Sequence, residues 1–429
     1  MVETVLFMVW LLWIFQPPTI HSMNITVVTV AFTDSPTYGY NAMMPTYDAI
    51  FSFIARKYPL VHSKIKRMPP LNLAQYMPAD GYSYSCTFAY EVAMQYIGAY
   101  YQKHPEIFQP NSTEVFPFIL TADWCDDAQT ELARFATAAN VFLLTLNPAN
   151  GIFSQFPNFP VMTELGPLPG AKMVAGVTAV LLKYGWTKNL GFWCPTNGMA
   201  WPFIFCDIFI KSDLYNKIGA EQFYIVDPEI KEFSRAQYRK ILNDMRYRTR
   251  VILVFLFHRL LREFMITAHE MNMTNGDYVF LTLAFQLSPD SPYPFTWKAN
   301  DKDDGKAFQA YQSLIASSDS LVNWNAMKDF VSERARISAD VYNITLPPER
   351  MYNQATALMY DLLTSFAEGV NRSLGNDDYF QPRTFAKRLK EQMYSRETSS
   401  TKLDKNGGAA FRVPILRLNT ESGEIEVQY

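Results

Sequence analysis

Residues 156–192, FPNFPVMTELGPLPGAKMVAGVTAVLLKYGWTKNLGF, decide how the chain is read. The aromatic–proline corner Phe156-Pro157 and Phe159-Pro160 ends one segment. Met173, Val177, Val180 and Leu181 then recur at helical spacing, predicting a helix over Ala171–Tyr184. Gly185 is placed to close it, since glycine tolerates the left-handed backbone of a helix end. Trp186 leads into a short strand, Asn189–Trp193. The stretch therefore reads as a chain leaving one α/β lobe and starting another.

The rest of the sequence repeats that rhythm on both sides. Strands are predicted at Ile25–Phe32, Val115–Thr121 and Val141–Leu146, with helices at Pro45–Tyr58, Phe88–Tyr101 and Asp127–Ala139 between them. Beyond the corner, strands at Gln222–Val226, Arg250–Phe255 and Tyr278–Phe285 alternate with helices at Trp201–Lys217, Ser234–Tyr247 and Arg259–Met271. Continuous apolar strands such as RVILVF are buried on both faces, which calls for parallel sheets covered by helices on each side. Two further helices are read near Gly305–Ala316 and Trp324–Ser338, then Met351–Val370 and Arg383–Tyr394, before a closing hairpin of Ala410–Leu418 and Ile425–Gln428. The fold class is thus α/β, two doubly wound parallel-sheet lobes with a cleft. The expected divisions are 23–155 for the first part of lobe 1, 156–285 for lobe 2, 286–380 for a return to lobe 1, and 381–429 for a helix and hairpin closing the lobes.

A chain of 429 residues exceeds one ordinary core, and 49% hydrophobic content can fill two. A net charge of −3 without a basic block argues against a nucleic-acid partner. The apolar run Val5–Phe15 is too short for a membrane span and suits a secretory signal, residues 1–22, broken by Pro17-Pro18 and ending near Ser22. Extracellular context agrees with five Asn-x-Ser/Thr sequons, at Asn24, Asn111, Asn272, Asn343 and Asn371. It also agrees with Cys86, Cys125, Cys194 and Cys206 as disulfides. Three pairings are open; the neighbour pairing Cys86–Cys125 and Cys194–Cys206 is favoured, each bridge stabilising by about 3–4 kcal/mol.

Catalytic signatures are absent from the sequence: no nucleophile elbow, no P-loop, no dinucleotide fingerprint. His21, His62, His104, His258 and His269 are scattered, so neither a metal nor a cofactor is expected. Asp301-Lys302-Asp303-Asp304-Gly305 opens like a calcium loop but has Gln312 where a glutamate belongs, and reads as a solvated charged loop. Asp123, Asp126 and Asp127 read as helix caps rather than paired acids. The aromatics of Phe88–Tyr101 suit equally a partner surface and a core. A cleft without catalytic groups points to sensing, and the chain is not expected to be an enzyme.

Four places in order carry a family resemblance: Cys86 and Cys125 around ILTADWCDDAQTELARFATAANVFLLT; the corner, helix and Gly185-Trp186; Ala310-Tyr311-Gln312-Ser313-Leu314 followed by WNAMKDFVSERA; and ERMYNQATALMYDLL with the closing hairpin and its turn at Lys405-Asn406-Gly407. The chain resembles the extracellular ligand-binding region of receptor guanylyl cyclases and natriuretic peptide receptors, of type I periplasmic-binding-protein fold. The resemblance implies a sensor for a peptide or small molecule, belonging to a receptor or secreted on its own, and a homodimer formed through lobe 1. It departs at Ala122-Asp123-Trp124, where the family's glycine-rich turn helps to hold chloride, and at Val161-Met162, where an arginine is common. The cyclase region itself is missing from this sequence. Rival readings are an amino-acid-sensing ectodomain of the class C receptor type and a decoy binding protein with no signalling role. Because doubly wound lobes meet ligands at the carboxyl ends of their strands, Thr121–Cys125, Asn147–Ile152, Pro195–Met199 and Leu256–His258 should face the cleft. The residues expected to touch ligand are Thr121, Asp123, Trp124, Asn147, Asn150, Asn197, Phe257 and His258.

Overall fold

The computed structural model describes residues 23–33, 39–76, 86–108, 114–122, 125–146, 159–164, 170–193, 206, 208–226, 233–256, 258–284, 295–318, 324–346, 351–352, 354–374, 381–389, 393–395, 400–403, 409–410 and 413–428. The first lobe is built on a parallel sheet of β1 (Asn24–Ala31), β2 (Ile65–Arg67), β3 (Leu71–Asn72), β4 (Val115–Thr121), β5 (Phe142–Thr145) and β6 (Met162–Glu164). Its order is β2-β1-β4-β5-β6, with β3 also pairing β1. Every pairing is parallel. The chain starts in the middle of the sheet and turns outward on both sides, so its switch point lies between β1 and β4.

Alternation along these strands fills two cores. Val27, Phe116, Phe118 and Phe142 point to one face and meet α1 (Tyr40–Lys57) and three helices from the far end of the chain. Those are α8 (Lys328–Tyr342), α9 (Gln354–Ser373) and α10 (Pro382–Leu389). Phe366 of α9 stacks on Phe118 with centroids 4.4 Å apart, and Phe385 of α10 meets Phe142 edge-on at 5.2 Å. Rings so buried stabilise by about 1.5–3 kcal/mol each. Val28, Val30, Ile119 and Leu143 face the other way, onto α2 (Cys86–Lys103) and α3 (Asp126–Ala138).

The second lobe carries β7 (Leu190–Trp193), β8 (Phe223–Val226), β9 (Val251–Val254), β10 (Val279–Ala284), β11 (Leu314–Ser318) and the hairpin β15 (Ile415–Leu418) and β16 (Ile425–Gln428). The order is β16-β15-β11-β10-β9-β7-β8, parallel except at the hairpin. One face packs on α4 (Gly170–Lys183), the other on α5 (Arg235–Arg246), α6 (His258–Glu270) and α7 (Asp304–Tyr311). Gly185 takes φ 67°, and Trp186 N donates to Leu181 O at 2.8 Å, the predicted helix closure. A third small sheet, β12 (Met393–Ser395), β13 (Ser400–Leu403) and β14 (Ala409–Ala410), is antiparallel.

Sheet membership moves the expected divisions. Residues 156–164 were assigned to lobe 2, yet β6 pairs β5, so the first sheet is not complete until Glu164. The return to lobe 1 was placed at 286, yet β11 pairs β10, and the second lobe runs on through Ser318. The helix read over Gly305–Ala316 stops at Tyr311 because Leu314–Ser318 form that strand. In the last division, α10 packs on the first lobe whereas the hairpin belongs to the second sheet. Helix α1 starts five residues before Pro45, which it carries inside. The helix read over Trp201–Lys217 is interrupted at Ser212, whose Oγ accepts from Tyr215 N to start a new turn at Asp213.

Candidate ligand-binding site

The parallel registers align the carboxyl ends of the first sheet. Val30 pairs Thr121, Thr121 pairs Thr145, and Thr145 pairs Glu164. Thr121 and Thr145 are fully buried; Thr145 Oγ1 donates to Leu146 O at 2.9 Å and Leu146 N to Thr121 O at 3.3 Å. The helices that follow β1 and β4 begin at this same edge. Tyr40 N donates to Thr33 O at 3.0 Å as α1 opens, and Cys125 caps α3, its carbonyl accepting from Gln129 N at 2.9 Å. Two helix N-termini, with their partial positive charge, thus border the edge. Asp127 was expected to cap α3, but Cys125 is the N-cap, with no side-chain cap bond; Asp127 lies exposed inside the first turn, where its charge complements the helix dipole.

The second sheet presents the matching edge at Trp193, Val254–Leu256, Ala284 and Ser317-Ser318. Thr282 Oγ1 donates to Val254 O at 2.7 Å, tying β10 to β9 beside it. Ser317 Oγ donates to Met173 O at 3.0 Å, tying β11 to α4. His258 begins α6 and is buried, its ring edge-on to Phe295 at 5.1 Å. Of the eight residues expected at the ligand, Thr121 falls on the first edge and His258 on the second. The other six, Asp123, Trp124, Asn147, Asn150, Asn197 and Phe257, lie outside the described residues.

The aspartates of 301–304 lie in a loop that is exposed at Asp301 and Lys302, as expected, and they are also knotted into ion pairs. Arg262 Nη1 and Nη2 bond Asp301 at 3.0 and 2.8 Å, Nη2 bonds Asp304 at 2.8 Å, and Nε donates to Trp297 O at 2.6 Å. Arg235 bonds Glu263 at 2.8 Å and Asp303 at 2.6 Å, and Lys306 bonds Glu270 at 2.8 Å. Arg262 holds the Asp301 carboxyl below the usual carboxylate range, Arg235 does so for Asp303, and the Ala299 and Asn300 amides with Arg262 for Asp304. Burial opposes the charge on Arg262, yet its bonds to Asp301 and Asp304 raise its pKa. These oxygens are engaged, and among the described residues no group of acids, histidines and cysteines could hold a metal. The sequence reading missed this role because no spacing rule links Arg262 to a loop 39 residues on.

On the outer face of the first lobe, the aromatics of α2 divide between core and surface. Tyr96 stacks on Tyr76 at 4.0 Å, and Tyr101 meets Phe135 of α3 edge-on at 5.9 Å. Tyr100, partly buried, donates to Pro69 O at 3.1 Å; burial and the charge of Glu106 push its pKa up to about 12. Tyr76, Met94 and Tyr101 remain exposed on that face. Cys125 and Cys206 are both disulfide-bonded, and both are buried, in the first and second lobes respectively. Asn24, Asn272, Asn343 and Asn371 are exposed, and Asn111 lies outside the described residues. No described helix is long and apolar enough to cross a membrane.

Each lobe thus presents the carboxyl edge of a doubly wound sheet, the place where folds of this class meet ligands. Residues 119–421, more than two thirds of the chain, match the family described as receptor family ligand binding region. The chain belongs to this family. Human atrial natriuretic peptide receptor 3 is 36% identical over 75 residues, a stretch that is 17% of this chain and 14% of that receptor. The alignment thus spans a small part of that relative's length. Among solved structures, a branched-chain amino acid ABC transporter periplasmic ligand-binding protein from Burkholderia xenovorans is 11% identical, covers 95% of both chains and gives a TM-score of 0.56. A solute binding protein from Rhodopseudomonas palustris in complex with 3,4-dihydroxybenzoic acid is 13% identical, with 94% and 95% covered and a TM-score of 0.53. A substrate-binding protein from Desulfitobacterium hafniense in complex with Leu is 12% identical, with 95% and 100% covered and a TM-score of 0.52. At these identities the likeness establishes the type I periplasmic-binding-protein fold. Among the described residues the fold is that of a binding protein and no catalytic domain is evident.

Proposed function

We propose that this ligand-binding region works outside the cell, as the sensor part of a receptor of the guanylyl cyclase and natriuretic peptide type or as a secreted form of one. The family match over residues 119–421 carries the reading. Ligand, a peptide or small molecule, is met at the carboxyl edges where Thr121 and His258 stand, with Asp123, Trp124, Asn147, Asn150, Asn197 and Phe257 completing the contact set. The exposed Tyr76, Met94 and Tyr101 support a homodimer through α2 and α3 of the first lobe. The bonded state of Cys125 and Cys206 supports bridges Cys86–Cys125 and Cys194–Cys206, one in each lobe. The sequons Asn24, Asn111, Asn272, Asn343 and Asn371 carry glycans in this reading. Asn272 and Asn343 are the best placed: each is exposed, with φ 57° and 54°, at the end of a helix.

The test is a thermal-shift and calorimetry panel of vertebrate and invertebrate peptide hormones beside the free amino acids. Stabilisation by a peptide that no free amino acid reproduces supports the receptor reading. Stabilisation by free amino acids alone sinks it and favours an amino-acid sensor.

A further inference from the structure

The balanced net charge conceals a local excess at the turn joining α5 to β9, Arg246-Tyr247-Arg248-Thr249-Arg250. Each guanidinium lies over a tyrosine ring: Arg246 at 5.7 Å from Tyr247, Arg248 at 4.4 Å from Tyr224, and Arg250 at 4.8 Å from Tyr278. Backbone carbonyls fix two of them further. Arg250 Nη1 donates to Arg246 O and Thr249 O at 2.8 and 2.9 Å, and Arg246 Nη2 to Met271 O at 3.3 Å. Pairing of Leu190 with Val251 brings Lys188 to the same end of the sheet. Two carboxylates stand nearby. Asp244 accepts from Tyr224 Oη at 2.5 Å and lies 3.8 Å from Arg248, and Asp277 accepts from Asn275 at 2.9 Å. Tyr247 is 83% exposed at the centre of the cluster.

These features describe a row of preset cations at the amino end of the second sheet, away from the ligand edge. Guanidinium forks held in place lose little entropy when they grip an oxyanion in bidentate fashion. The alternate spacing of 246, 248 and 250 suits a linear chain bearing repeated oxyanions. A peptide docking as a strand or a helix would want a sheet edge or an apolar groove, and an acidic peptide would leave the tyrosine ring unused. Here β9 is interior to its sheet, flanked by β10 and β7, and Tyr247 offers one flat ring suited to the C–H face of a sugar. We propose that this turn docks a sulfated polysaccharide. The choice of sulfate over phosphate rests on the extracellular reading above; the test reads no property of the ligand edge, so the two can fail separately.

The experiment is retention of the full chain on immobilised heparin, with affinity measured at about 0.15 M salt. Arg246→Ala/Arg248→Ala/Arg250→Ala is expected to weaken binding by at least about tenfold and to elute at lower salt, as loss of three charge contacts requires. Arg248→Ala alone, which removes one stacked and exposed side chain, should weaken it by about threefold. It keeps the test decisive if the triple variant misfolds. Lys57→Ala/Lys64→Ala in the first lobe should elute with the native chain. Desulfated heparin should compete at least about tenfold less well than heparin. Unchanged retention of the arginine variants overturns the proposal. So does competition by polyglutamate or RNA equal to that by heparin, which would mean an acidic protein or a phosphate polymer instead.

Discussion

Two helix glycines, Gly176 in α4 and Gly98 in α2, should respond oppositely to the same substitution. A Cβ built on Gly176 would lie 2.3 Å from Ser317 Oγ and 2.5 Å from Val413 Cγ1. An ordinary contact needs roughly 3.4–4 Å, so both neighbours must retreat by about 1 Å or more. Ser317 cannot do so freely, because its hydroxyl donates to Met173 O in the same helix. Overpacking of this kind costs about 1–3 kcal/mol, and loss of the hydroxyl bond about 1 kcal/mol more. The gain in helix propensity returns about 1 kcal/mol. Gly176→Ala should therefore destabilise by about 1–3 kcal/mol, a fall of about 2–4 °C in melting midpoint per kcal/mol. Gly98 has nothing within 4 Å of its would-be Cβ. Gly98→Ala should stabilise by about 0.5–1 kcal/mol. Thermal melts followed by circular dichroism on both variants, with Gly176→Ala/Ser317→Ala as a partial rescue, decide the matter. A Gly176→Ala chain as stable as the native one would refute the packing argument. A less stable Gly98→Ala chain would put Gly98, one turn from Met94 and Tyr101, inside the proposed dimer contact.

Asp301, Asp303 and Asp304 have carboxyl pKa values lowered in the fold, so their contribution is present above the unfolded value of about 4 and is lost as pH falls through the folded values. Asp301→Asn/Asp304→Asn should flatten the dependence of melting midpoint on pH between about 5 and 2; an unchanged slope would put acid sensitivity elsewhere. Arg334, buried, bonds Thr46 Oγ1 at 2.8 Å, Met351 O at 3.2 Å and Ala42 O at 3.3 Å, and burial depresses its pKa to about 10. Arg334→Ala strands those acceptors and opens a cavity, so urea denaturation should reveal a loss of about 3 kcal/mol or more. Met94→Glu/Tyr101→Glu should convert a dimer to a monomer by light scattering and remove any rise of the melting midpoint with protein concentration; a native chain that is already monomeric contradicts the expected interface. Peptide mapping without reductant should recover Cys86 with Cys125 and Cys194 with Cys206, and any other pairing corrects the favoured one.

The strands that the sequence reveals are those whose both faces are buried, because VILV or FPFILT has no other stable home than a covered parallel sheet. Where a strand is short or its residues are small, the signal fades. Met162–Glu164 is three residues after a proline and earns its place only through β5. Leu314–Ala316 was read as the end of the helix Gly305–Ala316, whereas Leu314–Ser318 form a strand whose partners Phe280 and Arg417 lie 34 residues before Leu314 and 102 after Ile315, beyond any local pattern. The edge residues Thr121 and His258 were legible from topology alone, since the carboxyl ends of the strands follow once the strands are known. The salt-bridge knot was not, because it depends on which loops meet in space, and that is set by the packing of α5, α6 and α7. The arginine row stands in the chain as Arg-x-Arg-x-Arg, and only its stacking on Tyr224 and Tyr278 needed the fold.

The first sheet's inner face, with Phe116, Phe118 and Phe142, is covered by Phe366 and Phe385, and the second sheet is bordered by residues 415–428. During synthesis neither lobe can finish as it leaves the ribosome. The first waits about 220 residues after Phe142 for its lid of helices, and the second keeps the β11 border open until the last strands arrive. A nascent chain stalled anywhere in between would hold bare phenylalanines and an unpaired strand, the kind of surface that invites aggregation until those later segments emerge.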